Sequence, residues 1–352
     1  MQSGPLRLTV HRHQFRLRNP YVLSFATLEH IDTFYVTAEQ NGAVGHGEVT
    51  PLPGYSDESA GSVIAALEFI GKNEPTEITE ITESLSTRAP ILTSGITCAI
   101  ETLDDQGAWN GLEKPIPLAG LCAGTAPEAA AAEARELCSQ GYKALKMKIG
   151  ADGLDQDLQR VRSVAQTIPG GVNLSLDANQ ALSFDGAMNL CAGIGDLPVS
   201  FVEQPFAPQA WDLTADLATA TSVPIMMDES IWHAEDIARA SAVGAKFVKL
   251  KLCKHRGAKD TLAMIALASD QGLGVVLGNG VQSSLGNHLE AKIYETANLS
   301  TAGEFNGFAK FDSPWMPDGM SVENGALVDG GIDPSSVSQP TDQKIFQIDL
   351  PT

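Results

Sequence analysis

The chain is poor in cysteine, in positive charge and in long apolar runs, and each shortage closes a class of function. Its 352 residues hold five cysteines. Cys98, Cys122, Cys138, Cys191 and Cys253 are scattered, odd in number, and never fall into CxxC or another metal-like spacing. That argues against a disulfide framework and fits buried thiols in a reducing cytoplasm. Lysine and arginine total 23 against 43 acidic residues, a formal charge of −20. Nucleic acid demands a basic face, so no nucleic-acid partner is expected. An anionic membrane surface is disfavoured for the same reason. No apolar stretch approaches the ~18 residues of a membrane span. The first twenty residues carry Arg and His throughout and no apolar core, so no signal peptide is expected.

What is present points to a large folded protein. Hydrophobic content of 43% is ample for a sizeable core. The length suggests two domains, or one large barrel with additions. In the first third, "DTFYVTAEQNGAVGHGEV" alternates apolar and polar residues on both sides of Asn41-Gly42. That dipeptide signals a type I′ hairpin. Helical stretches are predicted around 62–72 and 93–109, giving an α+β domain.

From about Ile116 short β-rich runs alternate with amphipathic helices. The runs are "IPLAGLC", "ALKMKI", "VNLSLDAN", "SFVEQP", "PIMMDES", "FVKLKLC", "GVVLGNG" and "TAGEFNG". Thr125-Ala126-Pro127-Glu128 predicts a capping box at one helix start. Lys148 to Asp177 spans 29 residues, then Asp177 to Glu203 26, Glu203 to Asp228 25 and Asp228 to Lys251 23. One strand, one helix and two loops take about that length. Eight such units close a (β/α)₈ TIM-type barrel. A doubly wound open sheet is the rival, but no Gly-rich phosphate turn follows any strand.

Each middle unit places an ionisable residue near the C-terminal end of its strand: Lys146 and Lys148, then Asp177, Glu203, Asp228 and Lys251. Barrel active sites lie on that face. Three carboxylates on successive strands form a hard oxygen set suited to Mg²⁺. No histidine or cysteine stands among them, which argues against zinc. Lys146 and Lys148 sit two apart, so in a strand they share a face, and their repulsion should lower at least one pKa. A lysine so tuned is a better base. Lys251 would approach a bound substrate from the other side. Two bases on opposite faces of one carbon suit a racemase or epimerase, with a metal stabilising the enediolate of a carbon acid next to a carboxylate.

These residues resemble the enolase superfamily, and within it the muconate lactonizing enzyme subgroup (mandelate racemase/muconate lactonizing enzyme-like). "KMKIG" resembles that subgroup's Lys-x-Lys strand, with Lys148 at the base position. "LDAN", "VEQP" and "MDES" resemble its three metal-ligand strands, which implies Asp177, Glu203 and Asp228 on Mg²⁺, with Mn²⁺ as a substitute. "VKLKLCKHRG" resembles the sixth strand, with Lys251 as the second catalytic lysine. The resemblance implies a modified barrel at 116–319. It implies an α+β capping domain at 1–115 completed by about 320–352. It also implies a small-molecule carboxylate substrate and a homo-oligomer. The chain departs from the subgroup at Lys246, where Asp is usual, at Arg256-Gly257, where a Gly pair is usual, and at Gln282, where Glu is common.

The substrate-contact candidates are Asn179 and Glu229 beside the ligand positions, Gln282, Glu304 and Asn306 at late strand ends, and Ser24 and Tyr55 in capping loops. Glu304 with Asn306 resembles the acidic pair by which dipeptide epimerases hold a substrate ammonium. The expected activity is an Mg²⁺-dependent racemase or epimerase acting on a dipeptide or N-acyl amino acid. A cycloisomerase or syn-dehydrating lyase would use the same site. A catalytically silent ligand-binding barrel is the reading from another class.

Overall fold

The computed structural model describes residues 4–22, 27–52, 56–151, 153–278, 281–312, 319–333 and 343–351. The chain opens with three antiparallel strands, β1 (Leu6–Val22), β2 (Thr27–Gln40) and β3 (Ala43–Val49). Asn41 and Gly42 join β2 to β3 with φ of 52° and 85°. Both lie in the left-handed region, as a type I′ turn requires. Three helices follow: α1 (Ala60–Asn73), α2 (Ile78–Leu85) and α3 (Pro90–Asp104). The separate α2 and the 3₁₀ turn Gln106–Trp109, which ends the stretch read as one helix at 93–109, extend the sequence expectation. Leu8, Val10, Phe34, Val36, Leu67 and Leu92 form the core beneath this sheet. The contact between β3 and α3 is backbone on backbone. A Cβ at Gly47 would stand 1.9 Å from the Gly95 carbonyl oxygen.

The α/β part begins with β4 (Ile116–Pro117) and β5 (Ala119–Cys122). It continues with β6 (Ala144–Lys148), β7 (Asn173–Asp177), β8 (Val199–Glu203), β9 (Ile225–Met227), β10 (Phe247–Leu250) and β11 (Gly274–Leu277). Strands β5 to β11 form one parallel sheet in which chain neighbours are sheet neighbours. The helices that follow them are α4 (Pro127–Ser139), α5 (Leu154–Ala165), α6 (Phe184–Ile194), α7 (Trp211–Ala220), α8 (Ala234–Ala242), α9 (Ala258–Asp270) and α10 (Ser284–Thr296). This is the barrel architecture, and its curled sheet closes through one short segment. Gly303 N–H donates to Pro117 O at 2.8 Å, and Glu304 N–H donates to Leu277 O at 2.9 Å. The predicted eighth strand "TAGEFNG" is thus two bridges rather than a strand. A residue on each edge suffices to join them.

The capping box expected at Thr125 does not form. Ala126 is the N-cap of α4, with no side-chain cap, and Pro127 takes the first helical position. Proline forces the residue before it out of helical geometry, so the boundary falls at 126.

The C-terminal return divides. β12 (Met320–Glu323) and β13 (Ala326–Asp329) form a sheet with β4, while β14 (Lys344–Leu350) pairs antiparallel with β1. The capping sheet and α3 are fastened to the barrel by acidic side chains at helix starts. Glu48 in β3 accepts from Ser283 N–H at 2.7 Å and Gly286 N–H at 2.9 Å, at the start of α10. Glu101 in α3 accepts from Ala258 N–H at 2.6 Å, at the start of α9. Free N–H groups and the helix dipole favour carboxylates there. Among the described residues no helix is long and apolar enough to cross a membrane.

Candidate active site

Residues two apart on a strand share a face. Inside the barrel that rule stacks charge on an apolar floor. Phe201, Met226 and Val276 form a buried cluster with Phe247 packed against it. Two positions further along the same four strands come Glu203, Asp228, Gly278 and Lys249. The neighbouring strands β6 and β7 add Lys146 and Asp177.

The side chains meet in two groups. Lys146 Nζ lies 2.7 Å from Glu203 Oε2, 2.9 Å from Asp177 Oδ2 and 3.0 Å from Glu304 Oε2. Lys249 Nζ lies 2.6 Å from Glu203 Oε1 and 2.8 Å from the same Glu304 oxygen. In the second group, Lys251 donates to Asp228 Oδ2 at 2.8 Å. Lys254 donates to the Asp228 carbonyl at 2.8 Å and lies 3.3 Å from its Oδ1. Trp232 stacks beneath Lys254, its ring centre 5.0 Å from Nζ.

Burial would lower the Lys146 pKa, but Asp177, Glu203 and Glu304 together hold it well above the usual lysine value. This corrects the expectation of like-charge depression as far as Lys146 is concerned. Only one of the two lysines is buried: Lys146 lies under the carboxylates, while Lys148 is exposed at the end of β6. Lys251 is also raised, because the neighbouring Asp228 charge and hydrogen bond outweigh burial. Asp228 falls well below the carboxylate range: burial opposes its charge, and Lys251, Lys254 and Lys249 override that cost. Burial and the Asp177 charge push Glu203 up to about 8, against the pull of two ammoniums. Burial lowers Lys254.

Asn179 Nδ2 donates to Glu229 Oε1 at 3.2 Å. The other Glu229 oxygen and the Gln282 Oε1 are buried without a hydrogen-bond partner among the described residues. Asn306 is half-buried at the start of a 3₁₀ turn, Gly307–Lys310. Ser24 and Tyr55 lie outside the described residues. A small cavity between cap and barrel is lined by Thr50, Leu52, Ile91, Trp232, Lys251, Cys253 and Lys254.

Sequence reasoning missed Lys249 and Lys254. The signal for Lys249 was present: "VKLKL" repeats the two-apart lysine spacing of "KMK". Lys254 sits beyond the strand, in a 3₁₀ turn, where strand alternation says nothing.

Asp177, Glu203 and Asp228 are buried hard-oxygen donors at three adjacent strand ends, and this chemistry fits a divalent oxophilic cation. Asp177 and Glu203 already converge on one point, the Lys146 ammonium. With the ammoniums in place, no three carboxylate, imidazole or thiolate groups among the described residues stand close enough to share an ion. A bound cation would therefore compete with lysines for these oxygens.

Comparison with known proteins accords with this fold. Residues 129–331 match the family described as Enolase C-terminal domain-like. The N-succinyl-L-Arg/Lys racemase of Bacillus cereus is 25% identical over 327 residues, covering 86% of this chain and 87% of that one. The structure of the L-Ala-D/L-Glu epimerase from Bacillus subtilis superposes with a TM-score of 0.83 at 21% identity, covering 98% of this chain and 99% of that one. The dipeptide epimerase from Enterococcus faecalis, complexed with Mg and the dipeptide L-Leu-L-Tyr, superposes with a TM-score of 0.82 at 22% identity, covering 94% and 98%. The chain belongs to the enolase superfamily. Within it the chain is mandelate racemase/muconate lactonizing enzyme-like, and it is an isomerase of that superfamily.

Proposed function

We propose that the protein is an Mg²⁺-dependent racemase or epimerase that removes the proton α to a carboxylate. The observation that carries this reading is the placement of Lys148 and Lys251. Lys148 ends β6 and Lys251 follows β10, on either side of the strands whose C-terminal ends carry Asp177, Glu203 and Asp228. Those three carboxylates would hold the ion, with Mn²⁺ able to replace it. Bound Mg²⁺ would supply Lewis-acid stabilisation for the negative charge that develops on the substrate carboxylate.

The chain's own residues do the proton work. Lys148, exposed at the mouth, takes the α-proton in its neutral form and leaves an enediolate. Lys251, whose raised pKa keeps it an ammonium, returns a proton to the opposite face. Reversing the roles racemises the other enantiomer. Lys146, held cationic by three carboxylates, is an electrostatic partner and not a base. The racemase and epimerase names of the relatives support stereoinversion over ring closure or loss of water. The substrate class we propose is a dipeptide or N-acyl amino acid, in a cytoplasmic homo-oligomer whose cap spans residues 1–115 and 320–352.

The test is α-proton exchange in D₂O over a substrate library with product analysis. Exchange with inversion is expected. Unchanged exchange of both enantiomers in Lys148→Ala overturns the two-lysine mechanism.

A further inference from the structure

Lys249 has no part in that mechanism, yet it is the most deeply buried lysine of the site, at 2% exposure. Its stem is accommodated by the strand beside it. A Cβ on Gly278 would stand 3.4 Å from both Lys249 Cδ and Cε, and 3.3 Å from Glu304 Cβ. Its ammonium bridges Glu203 and Glu304. Glu304 is the more open partner, with 15% of its side chain exposed against 0% for Glu203. It is therefore the carboxylate of this group that a substrate can reach. Its Oε2 already accepts from two ammoniums, Lys249 at 2.8 Å and Lys146 at 3.0 Å.

The wider balance points the same way. The carboxylates at the mouth are Asp177, Glu203, Asp228, Glu229 and Glu304. With Lys148 neutral as the base, the ammoniums are Lys146, Lys249, Lys251 and Lys254. The two sets leave one formal negative charge before any divalent cation or substrate arrives. A bound divalent cation makes the mouth positive. A substrate ammonium must then displace a buried lysine from its carboxylate or stand unpaired among like charges, and either is costly in a low-dielectric site. An acylated nitrogen brings no charge, and its carbonyl oxygen can accept from an ammonium.

We propose that Lys249 determines the substrate class by occupying Glu304: the site takes amino acids whose α-amine is acylated and turns away dipeptides with a free ammonium. The proposal rests on the racemase or epimerase reading and chooses between the two substrate classes it left open.

The experiment is calorimetric binding to the Mg²⁺-loaded enzyme. The ligands are a panel of N-acetyl amino acids and the L-alanyl dipeptides with the same C-terminal residues. Wild type is expected to bind the N-acetyl member of each pair about tenfold or more tightly, the scale of like-charge exclusion at an interface. Lys249→Met should erase that preference, and Lys249→Arg should retain it. Glu304→Gln, which leaves Lys249 with Glu203 as its one carboxylate partner, should weaken dipeptides further; it serves if Lys249→Met does not fold. Equal or tighter dipeptide binding by wild type, no binding of any N-acetyl member, or an unchanged ratio in Lys249→Met overturns the proposal. Exchange in D₂O is measured separately on the same panel. Its absence throughout overturns the racemase or epimerase reading, while the binding ratio still decides the role of Lys249.

Discussion

Lys251 Nζ lies 2.8 Å from Asp228 Oδ2, a contact between the residues that immediately follow two adjacent strands, β10 and β9. It holds buried Lys251 as an ammonium in the free enzyme, while Lys148 stands exposed at the end of β6. If each serves one face of the substrate, Lys251→Ala and Lys148→Ala should be asymmetric. Each should stop α-proton exchange of one enantiomer by at least ~10²-fold, the scale of general acid–base catalysis, and affect the other less. Exchange followed by proton NMR in D₂O, starting from each enantiomer, checks this. Equal loss for both enantiomers in both variants would exclude separate faces.

Glu203 is the central carboxylate of the site, with both oxygens on ammoniums. Glu203→Gln should weaken Mg²⁺ binding by at least ~10-fold, since one of the three charged ligands is lost. Calorimetric titration of Mg²⁺ into the metal-stripped protein reads this without turnover. Unchanged affinity would remove Glu203 from the ligand set.

Glu58 gives the cap a pH dependence. It is buried at the start of α3, accepting from Ile91 N–H at 2.6 Å, and burial lifts it from 4.5 to about 7. The folded state therefore holds this proton to higher pH than the unfolded chain does. Its contribution is greatest below pH 4.5 and falls as pH rises through 7. Relative to Glu58→Gln, wild type should lose up to about 3 kcal/mol of unfolding free energy across that window. Urea unfolding of both proteins at pH 5 and pH 8 measures the difference. A flat difference would contradict the lifted pKa.

Glu48 joins β3 to the first turn of α10 through two backbone N–H groups and the Ser283 hydroxyl. Glu48→Ala leaves those buried donors unmatched and should cost about 2–3 kcal/mol. Lower melting temperature, with faster amide exchange at 283–286 than elsewhere in α10, is the expected signature. Unchanged exchange there would mean that this fastening contributes little.

Much of the site was legible from spacing alone. Alternation along a strand and the length of one strand-helix unit place Asp177, Glu203, Asp228 and Lys251 at one mouth. The Asn41-Gly42 turn was equally local, because two left-handed residues suffice to specify it. The helix start at Pro127 was misread because the restraint that proline places on Ala126 outweighs the cap chemistry of Thr125.

The sequence by itself determined which residues face inward on each strand, since two-residue periodicity and strand order are properties of short segments. Only the tertiary structure decided which ammonium meets which carboxylate. Lys146 and Glu304 are 158 positions apart and touch because the barrel closes between them. Lys146 is buried and Lys148 exposed because one lies within the ring of strands and the other at its rim, although both share a face. Lys249 meets Glu304 for the same reason, and so charge balance at the mouth is set by barrel closure rather than by any local run of residues.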